Sequence, residues 1–256
     1  DDSFGRDLYS IDEQGEVPAS ALAASLGCGN PMMVAALEPG ETVLDLGSGG
    51  GKICYMAAQL TGAGGQVIGV DMNDDMLALA RKYQVEMAGK RGSDRVHFVK
   101  GHIQDLALDI DALGQYLAAN PVRQHADYSA LRAWEQRQRR EAPLIPDASV
   151  DLVISNCVLN LVADSEKQQL VQEIFRVLRP GGRIAISDIV SDRAIPESMK
   201  QDPDLWSGCI SGAFEESEFA QAFAAAGFRG VCYDKWDPQP WQVIEDITFR
   251  SVTLTA

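Results

Sequence analysis

The amino-acid sequence predicts an α/β fold, a doubly wound and mainly parallel sheet with helices on both faces. Three observations predict it. Apolar strand-like runs alternate with helical stretches between residues 42 and 187, the pattern of a parallel sheet whose crossovers are helices. The first strand ends in an acidic residue and breaks into glycines, Val43-Leu44-Asp45-Leu46-Gly47-Ser48-Gly49-Gly50-Gly51, before a helix begins. Glycine lets the backbone turn sharply and approach a ligand that a Cβ would exclude. The second strand ends in Asp71, about 20 residues past the loop, where a carboxylate can accept hydrogen bonds from both hydroxyls of a ribose. An adenosine-type cofactor at the carboxyl ends of the strands is therefore expected.

The elements follow in order. Residues 1–40 are polar and then alanine-rich, and are expected to form a helical N-terminal cover over the cofactor; they include Leu26-Gly27-Cys28-Gly29-Asn30-Pro31. Residues 41–190 are expected to form the cofactor-binding core, with strands at 42–46, 66–70, 96–100, 150–155 and 183–187. Helices are expected at 52–61, 74–89 and 167–177, the last ended by Arg179-Pro180-Gly181-Gly182. In the second of them Asn73 or Asp74 is a suitable cap, and Met76, Leu77, Ala80, Tyr83 and Met87 share one side. Residues 108–146 exceed what a crossover needs and read as a helical insertion between strands three and four. Leu113, Tyr116 and Leu117 form one apolar stripe and Tyr128, Leu131 and Trp134 another, while Arg132, Arg137, Arg139 and Arg140 make the stretch locally basic. A surface insertion with a solvated basic face and a lid or dimer contact are both open readings. Residues 191–256 are expected to hold a substrate-capping segment and terminal strands, with short strands near 229–234 and 247–254.

Composition bounds the function. An apolar content of 46% over 256 residues suffices for one large core. A net charge of −15 repels phosphates, so nucleic acid and anionic membrane surfaces are disfavoured as partners. No apolar run approaches the ~20 residues needed to span a bilayer. Five cysteines without zinc-finger or C-x-x-C spacing point to free thiols in a reducing cytoplasm, and the scattered His97, His102 and His125 disfavour a histidine metal site.

The glycine loop resembles the D-x-G-x-G-x-G loop of class I S-adenosylmethionine (SAM) methyltransferases, which have a Rossmann-like fold. Charge separates the two cofactor classes. A pyrophosphate favours a bare helix N-terminus, whereas Asp45 repels phosphate and can hold the ammonium of a methionine moiety. A glycine turn without a ligand is the bland alternative, and Asp71 counts against it.

Methyl transfer needs a positioned nucleophile, and often a base. The end of strand four offers no histidine or glutamate: it reads Ser155-Asn156-Cys157-Val158-Leu159-Asn160, at a position that faces the crevice of such a sheet. Cys209 lies in Leu205-Trp206-Ser207-Gly208-Cys209-Ile210-Ser211-Gly212, after strand five, and Cys28 lies in Gly27-Cys28-Gly29. Small neighbours leave these thiols accessible, and three thiols could converge from three parts of the chain. A free cysteine is, however, most often a small buried hydrophobe, which is the favoured reading of Cys54 and Cys232.

Taken together, Gly27-Cys28-Gly29, Asp45 to Gly51, Gly69-Val70-Asp71-Met72, Ile154 to Leu161, Arg176 to Gly182 and Trp206 to Ala213 resemble the arsenite methyltransferase family, from about Phe4 to Gly230 except across 108–146. The resemblance implies that Cys28, Cys157 and Cys209 bind trivalent arsenic as the catalytic centre. It places SAM on Asp45, Gly47, Gly49, Asp71, Met72, Ile103 and Asn156. It implies arsenite or methylarsenite as substrate, a thiol reductant such as glutathione or thioredoxin, and a role in arsenic detoxification. Where tyrosines often precede the first Gly-Cys-Gly, Ser25-Leu26 stand here, and Tyr9 is the aromatic that could close over the cofactor. The chemistry agrees: soft trivalent arsenic prefers thiolates, and its lone pair is itself the nucleophile, so no base is required. The rivals are a SAM methyltransferase of a small organic acceptor and a thiol-based metalloid-binding protein.

Overall fold

The computed structural model describes residues 27–91 and 95–256, the side chains of 85–91 excepted. Strand β1 (Thr42–Leu46) leads through helix α1 (Lys52–Leu60) to β2 (Gln66–Asp71), and α2 (Asp74–Arg91) leads to β3 (Val96–Lys100). Two helices, α3 (Ile110–Ala119) and α4 (His125–Glu141), precede β4 (Val150–Asn156). Helix α5 (Lys167–Val177) runs into β5 (Leu178–Ser191). Short helices α6 (Glu197–Lys200) and α7 (Pro203–Ser207) come next, then β6 (Phe214–Glu215), α8 (Glu216–Ala226), β7 (Cys232–Trp236), β8 (Gln242–Ile244) and β9 (Ile247–Thr255).

The strands form one sheet in the order β3-β2-β1-β4-β5-β9-β7, with β6 on β5 and β8 on β9. Strands β1 to β5 pair parallel, and β9 pairs antiparallel with β5 and β7. Alternation along each strand sends side chains to opposite faces. Leu44, Leu46, Val153, Ile184 and Ile186 pack with α5 and α8, while Val43, Leu152, Ile154 and Ala185 pack with α1 and α2. Burial on both faces is why these strands are nearly continuous apolar runs.

The chain leaves β1 toward β2 and β3, then returns to place β4 on the other side of β1. A crevice opens at such a switch point, beyond the carboxyl ends of the strands. Register aligns the rim: Leu46 lies opposite Val70 and Ser155, and Asn156 opposite Ser187. The glycine loop, Asp71 and Cys157 all leave the sheet at this rim.

Some details differ from the expectation. β5 begins at Leu178 and includes Arg179 to Gly182, because Leu178 pairs with Val150 and the Arg179 guanidinium binds both oxygens of Asp151 on β4 (2.7 and 2.8 Å). It runs on to Ser191 because β9 covers it. Residues 191–256 therefore extend the sheet as well as supplying α6, α7 and α8. Of the expected cover over 1–40, residues 1–26 lie outside the described residues. Residues 27–40 hold one 3₁₀ turn, Pro31–Met33. Glycines at 27 and 29 and prolines at 31 and 39 disfavour a helix there.

The 108–146 insertion is a helical hairpin whose two stripes meet: Tyr116 stacks on Trp134 at 4.6 Å between ring centroids. Asp109 caps α3 by accepting from the Ala112 amide (2.9 Å), and the Asp127 carboxylate accepts from the Gln124 amide before α4 (3.1 Å). The Arg139 guanidinium grips Asp105 through Nε and Nη2 (3.0 and 2.8 Å), fastening the hairpin to the turn after β3.

Candidate active site

The first half of the site is built on β1 and β2. Asp45 is buried on β1 and accepts a hydrogen bond from the Cys54 thiol (3.3 Å). Burial, against that hydrogen bond and with the charge of Asp71, holds the Asp45 carboxyl up at about 7. Gly47 and Gly49 take left-handed φ values of 70° and 51°. A Cβ on Gly47 would lie 2.5 Å from the Val158 side chain, whereas one on Gly49 would meet nothing within 4 Å. The backbone at Gly49 thus faces open space. Asp71 accepts from the amides of Gly49 and Asn73, both at 2.8 Å, and so ties the loop to the end of β2. Ser48 Oγ is buried and finds no hydrogen-bond partner among the described residues. Met72 projects 62% exposed beside this rim, and Ile103 is buried in the turn after β3. A buried carboxylate that titrates near neutrality, an orphaned hydroxyl, an open glycine backbone and an exposed apolar side chain together fit the ammonium, hydroxyl and apolar groups of SAM. Tyr9 lies outside the described residues.

The second half holds three thiols. Cys157 directly follows β4, its amide bonded to the Ser187 carbonyl (2.8 Å), and Cys209 follows α7, its amide bonded to the Trp206 carbonyl (3.0 Å). The Cys209 thiol donates to the Cys157 carbonyl (3.1 Å), and the sulfurs of Cys28 and Cys157 lie within 4.8 Å of one another. All three are free, and they share an apolar cluster with Ile189, Ile195, Met199 and Ile210. Their pKa values are raised: Cys209 by hydrogen bonding to Cys157 and by burial, Cys28 by burial. Cys157 is raised well above its ordinary value, because its bond to Cys28, burial and nearby charge outweigh the lowering by Cys209. The thiols rest protonated.

Two polar residues belong to this site that sequence reasoning missed. A carboxylate oxygen of Asp188 and the sulfurs of Cys28 and Cys157 lie within 4.8 Å of one another. Asp188 is fully buried on β5, accepts from the amides of Leu159 (3.0 Å) and Ile189 (2.9 Å), and is held up by burial at about 7. The only signal was one carboxylate within the largely apolar run Ile184 to Val190. Asn160, also fully buried, donates to the carbonyls of Ile189 (2.7 Å) and Cys209 (3.0 Å). Asn156, expected beside the cofactor, has its side chain engaged with the thiol segment. Its Oδ1 accepts from the amides of Cys28 (3.2 Å) and Gly29 (3.3 Å), and its Nδ2 donates to the Gly29 carbonyl (2.7 Å). Of the remaining cysteines, Cys54 is buried as expected, but Cys232 is exposed on β7, at the outer edge of the sheet.

Among the described residues no helix is long and apolar enough to cross a membrane. Residues 37–115 and 118–227 match a family described as a methyltransferase domain. The chain is 38% identical over 223 residues to the arsenite methyltransferase of Halobacterium salinarum, covering 87% of this chain and 46% of that one. It is 34% identical over 213 residues to the arsenite methyltransferase of Aquipseudomonas alcaligenes, covering 83% and 51%. The chain thus spans about half the length of these curated relatives. The crystal structure of CrArsM, an arsenic(III) S-adenosylmethionine methyltransferase from Chlamydomonas reinhardtii, superposes with a TM-score of 0.72 and 30% identity, over 95% of this chain and 71% of that one.

Proposed function

The chain belongs to the arsenite methyltransferase family, and from that premise we propose that it transfers a methyl group from SAM to trivalent arsenic held by Cys28, Cys157 and Cys209. The observation that carries the reading is the approach of three cysteines from three separate segments: the Cys28 and Cys157 sulfurs lie within 4.8 Å of each other, and the Cys209 thiol reaches the Cys157 carbonyl within the same apolar cluster. Soft trivalent arsenic prefers sulfur ligands. Arsenite is mainly neutral near pH 7, so the net charge of −15 does not repel it. Each thiol replaces one hydroxyl of arsenite, and the thiol proton leaves with that hydroxyl as water. The raised thiol pKa values are therefore no obstacle, because no free thiolate is needed at rest. Three As–S bonds leave a pyramidal centre whose lone pair is the nucleophile.

SAM, when bound, supplies an electrophilic methyl group on a sulfonium. The residues that would hold it are Asp45 at its ammonium, the backbone of Gly47 and Gly49, Asp71 at the ribose, and Met72 and Ile103 beside the adenine. Asn156 bridges the two halves by fixing the Cys28 segment at the cofactor rim. Burial of Cys28 and Cys209 keeps water from the reacting lone pair. Donation of the lone pair raises arsenic by two oxidation levels, so a further round requires a thiol reductant of the glutathione or thioredoxin class. In this reading 41–190 is the cofactor-binding unit, 191–256 contributes the cap that carries Cys209, and the protein works in a reducing cytoplasm.

The test is transfer of labelled methyl from SAM to arsenite in excess thiol. Intact protein and Cys232→Ser should form methylarsenicals, and Cys157→Ser should lose at least roughly a hundredfold in rate, as when a nucleophile's holder is removed. Full activity of Cys157→Ser, or methylation of a quinol in place of arsenite, would sink the reading.

A further inference from the structure

We propose that Asn160 is a positioning residue of the thiol site: its amide holds the Cys209 segment in place against Cys157. The inference rests on the arsenic reading for its ligand, but the geometry is independent of methyl transfer. Cys209 arrives from beyond β5, on a segment of two short helices and a loop, and it has a left-handed φ of 61°. A non-glycine residue in that conformation carries strain that only surrounding contacts sustain. Cys157 holds the same φ of 61°. Three residues later, Asn160 uses both hydrogens of Nδ2, one on the Ile189 carbonyl of β5 (2.7 Å) and one on the Cys209 carbonyl (3.0 Å). One amide thus joins the turn after β4, the strand that carries Asp188 and the peptide of Cys209.

The loop fits closely at this point. A Cβ on Gly212 would lie 2.0 Å from the Asn160 carbonyl oxygen, so the 209–213 backbone rests directly on Asn160. The Lys167 ammonium donates to the Gly212 carbonyl (2.6 Å), and the Ser211 hydroxyl donates to the Met199 carbonyl (2.8 Å). These contacts fix the loop downstream of the thiol, whereas Asn160 is the side chain that grips the Cys209 peptide itself. Asn156 does the same for Cys28, through its amide and carbonyl contacts at Cys28 and Gly29. In Asn156-Cys157-Val158-Leu159-Asn160 the two asparagines therefore flank the central cysteine, and each draws one of the other two thiols to it.

The experiment compares wild type with Asn160→Ala and Asn160→Ser in binding phenylarsine oxide, an arsenical that bridges two neighbouring thiols. SAM affinity serves as the check on folding. Asn160→Ala should weaken phenylarsine oxide binding roughly tenfold or more, raise KM for arsenite by a similar factor, and leave SAM affinity within about twofold. X-ray absorption at the arsenic edge of the arsenite complex should show three sulfur neighbours in wild type and two in the variant. Asn160→Ser keeps one donor and should fall between; it carries the test if the alanine variant does not fold. In a Cys209→Ser background Asn160→Ala should cause little further loss, because both changes act on one contact. Unchanged phenylarsine oxide affinity together with three sulfur neighbours around bound arsenite in Asn160→Ala would overturn the inference, as would full additivity with Cys209→Ser. If Asn160→Ala weakens phenylarsine oxide while wild type methylates no arsenical, the positioning role stands and the methyl-transfer reading falls.

Discussion

A cysteine with φ near +61° is a poor choice for stability, yet Cys157 and Cys209 both have it. Glycine holds that conformation without the Cβ clash, and at such a position a glycine is favoured over a β-carbon residue by roughly 1 kcal/mol. The positions therefore trade stability for the direction in which a sulfur is presented, as strained residues at functional sites do. The consequence is measurable. Cys157→Gly and Cys157→Ala both delete the thiol, so both should lose arsenite methylation. Their stabilities should part, the glycine variant unfolding at the higher temperature by the equivalent of roughly 1 kcal/mol. Equal thermal midpoints would mean that the turn relaxes freely and that no strain is stored at this residue. Asp188 could not be singled out from the sequence at this scale. Within Ile184-Ala185-Ile186-Ser187-Asp188-Ile189-Val190 it reads as the polar end of a strand, and only the approach of Cys28 and Cys157 gives it company.

At the scale of elements, the helical hairpin of α3 and α4 is the part of the chain that a minimal crossover does not require. It is fastened to the body at Arg139, whose guanidinium is paired with Asp105 and also reaches Glu135 at 3.5 Å. Asp105 lies two residues after Ile103, so the hairpin braces the turn proposed to lie beside the adenine. Arg139→Ala should cost about 1 kcal/mol of stability, the upper range for a partly exposed pair with forked geometry. Hydrogen exchange at 101–106 should quicken, while exchange in β4 should not. Exchange unchanged at 101–106 would leave the hairpin as a solvated appendage. The elements themselves were largely legible beforehand, because strands buried on both faces are continuous apolar runs and their helices carry clear punctuation. Helix α5 occupies the expected 167–177. The strands β6 and β8, of two and three residues, carry too little pattern to be read. The antiparallel cover of β9 that prolongs β5 to Ser191 is a long-range pairing that no local window contains. The same limit applied to the thiols. Three cysteines between small residues were visible, but that they share one cluster, and that Asn156 and Asn160 hold the segments of Cys28 and Cys209, depends on contacts 49 to 128 residues apart in sequence.

Across the whole molecule, two buried carboxyls govern the response to pH. Asp45 and Asp188 are each held up, chiefly by burial, from an ordinary 3.8 to about 7 in the folded chain. Between about pH 4 and pH 7 the folded state therefore binds protons that the unfolded chain has released, and stability falls as pH rises. The stabilising contribution of these two carboxyls is complete below 3.8 and is lost through about 7. The two displacements correspond to on the order of 4 kcal/mol each. The net charge of −15 adds self-repulsion in the same direction. Asp127 and Asp192 are held low by their hydrogen-bond partners and act oppositely, but they are exposed and screened. Cofactor binding should reverse part of this trend. A cation placed beside Asp45 favours its carboxylate, so binding below neutrality must expel a proton. SAM affinity should then tighten as pH rises from about 5.5 to 7, by at most about tenfold per pH unit, and level off above. Asp45→Asn removes the titrating group and should flatten the profile, whereas thermal unfolding of that variant should keep the share of the slope owed to Asp188. Calorimetric titration across that range, in buffers of different ionisation enthalpy, measures both the affinity and the proton released. A profile that stays flat in the intact protein, or an unchanged slope in Asp45→Asn, would remove Asp45 from the cofactor's ammonium and leave its burial to the hydrogen bond from Cys54 alone.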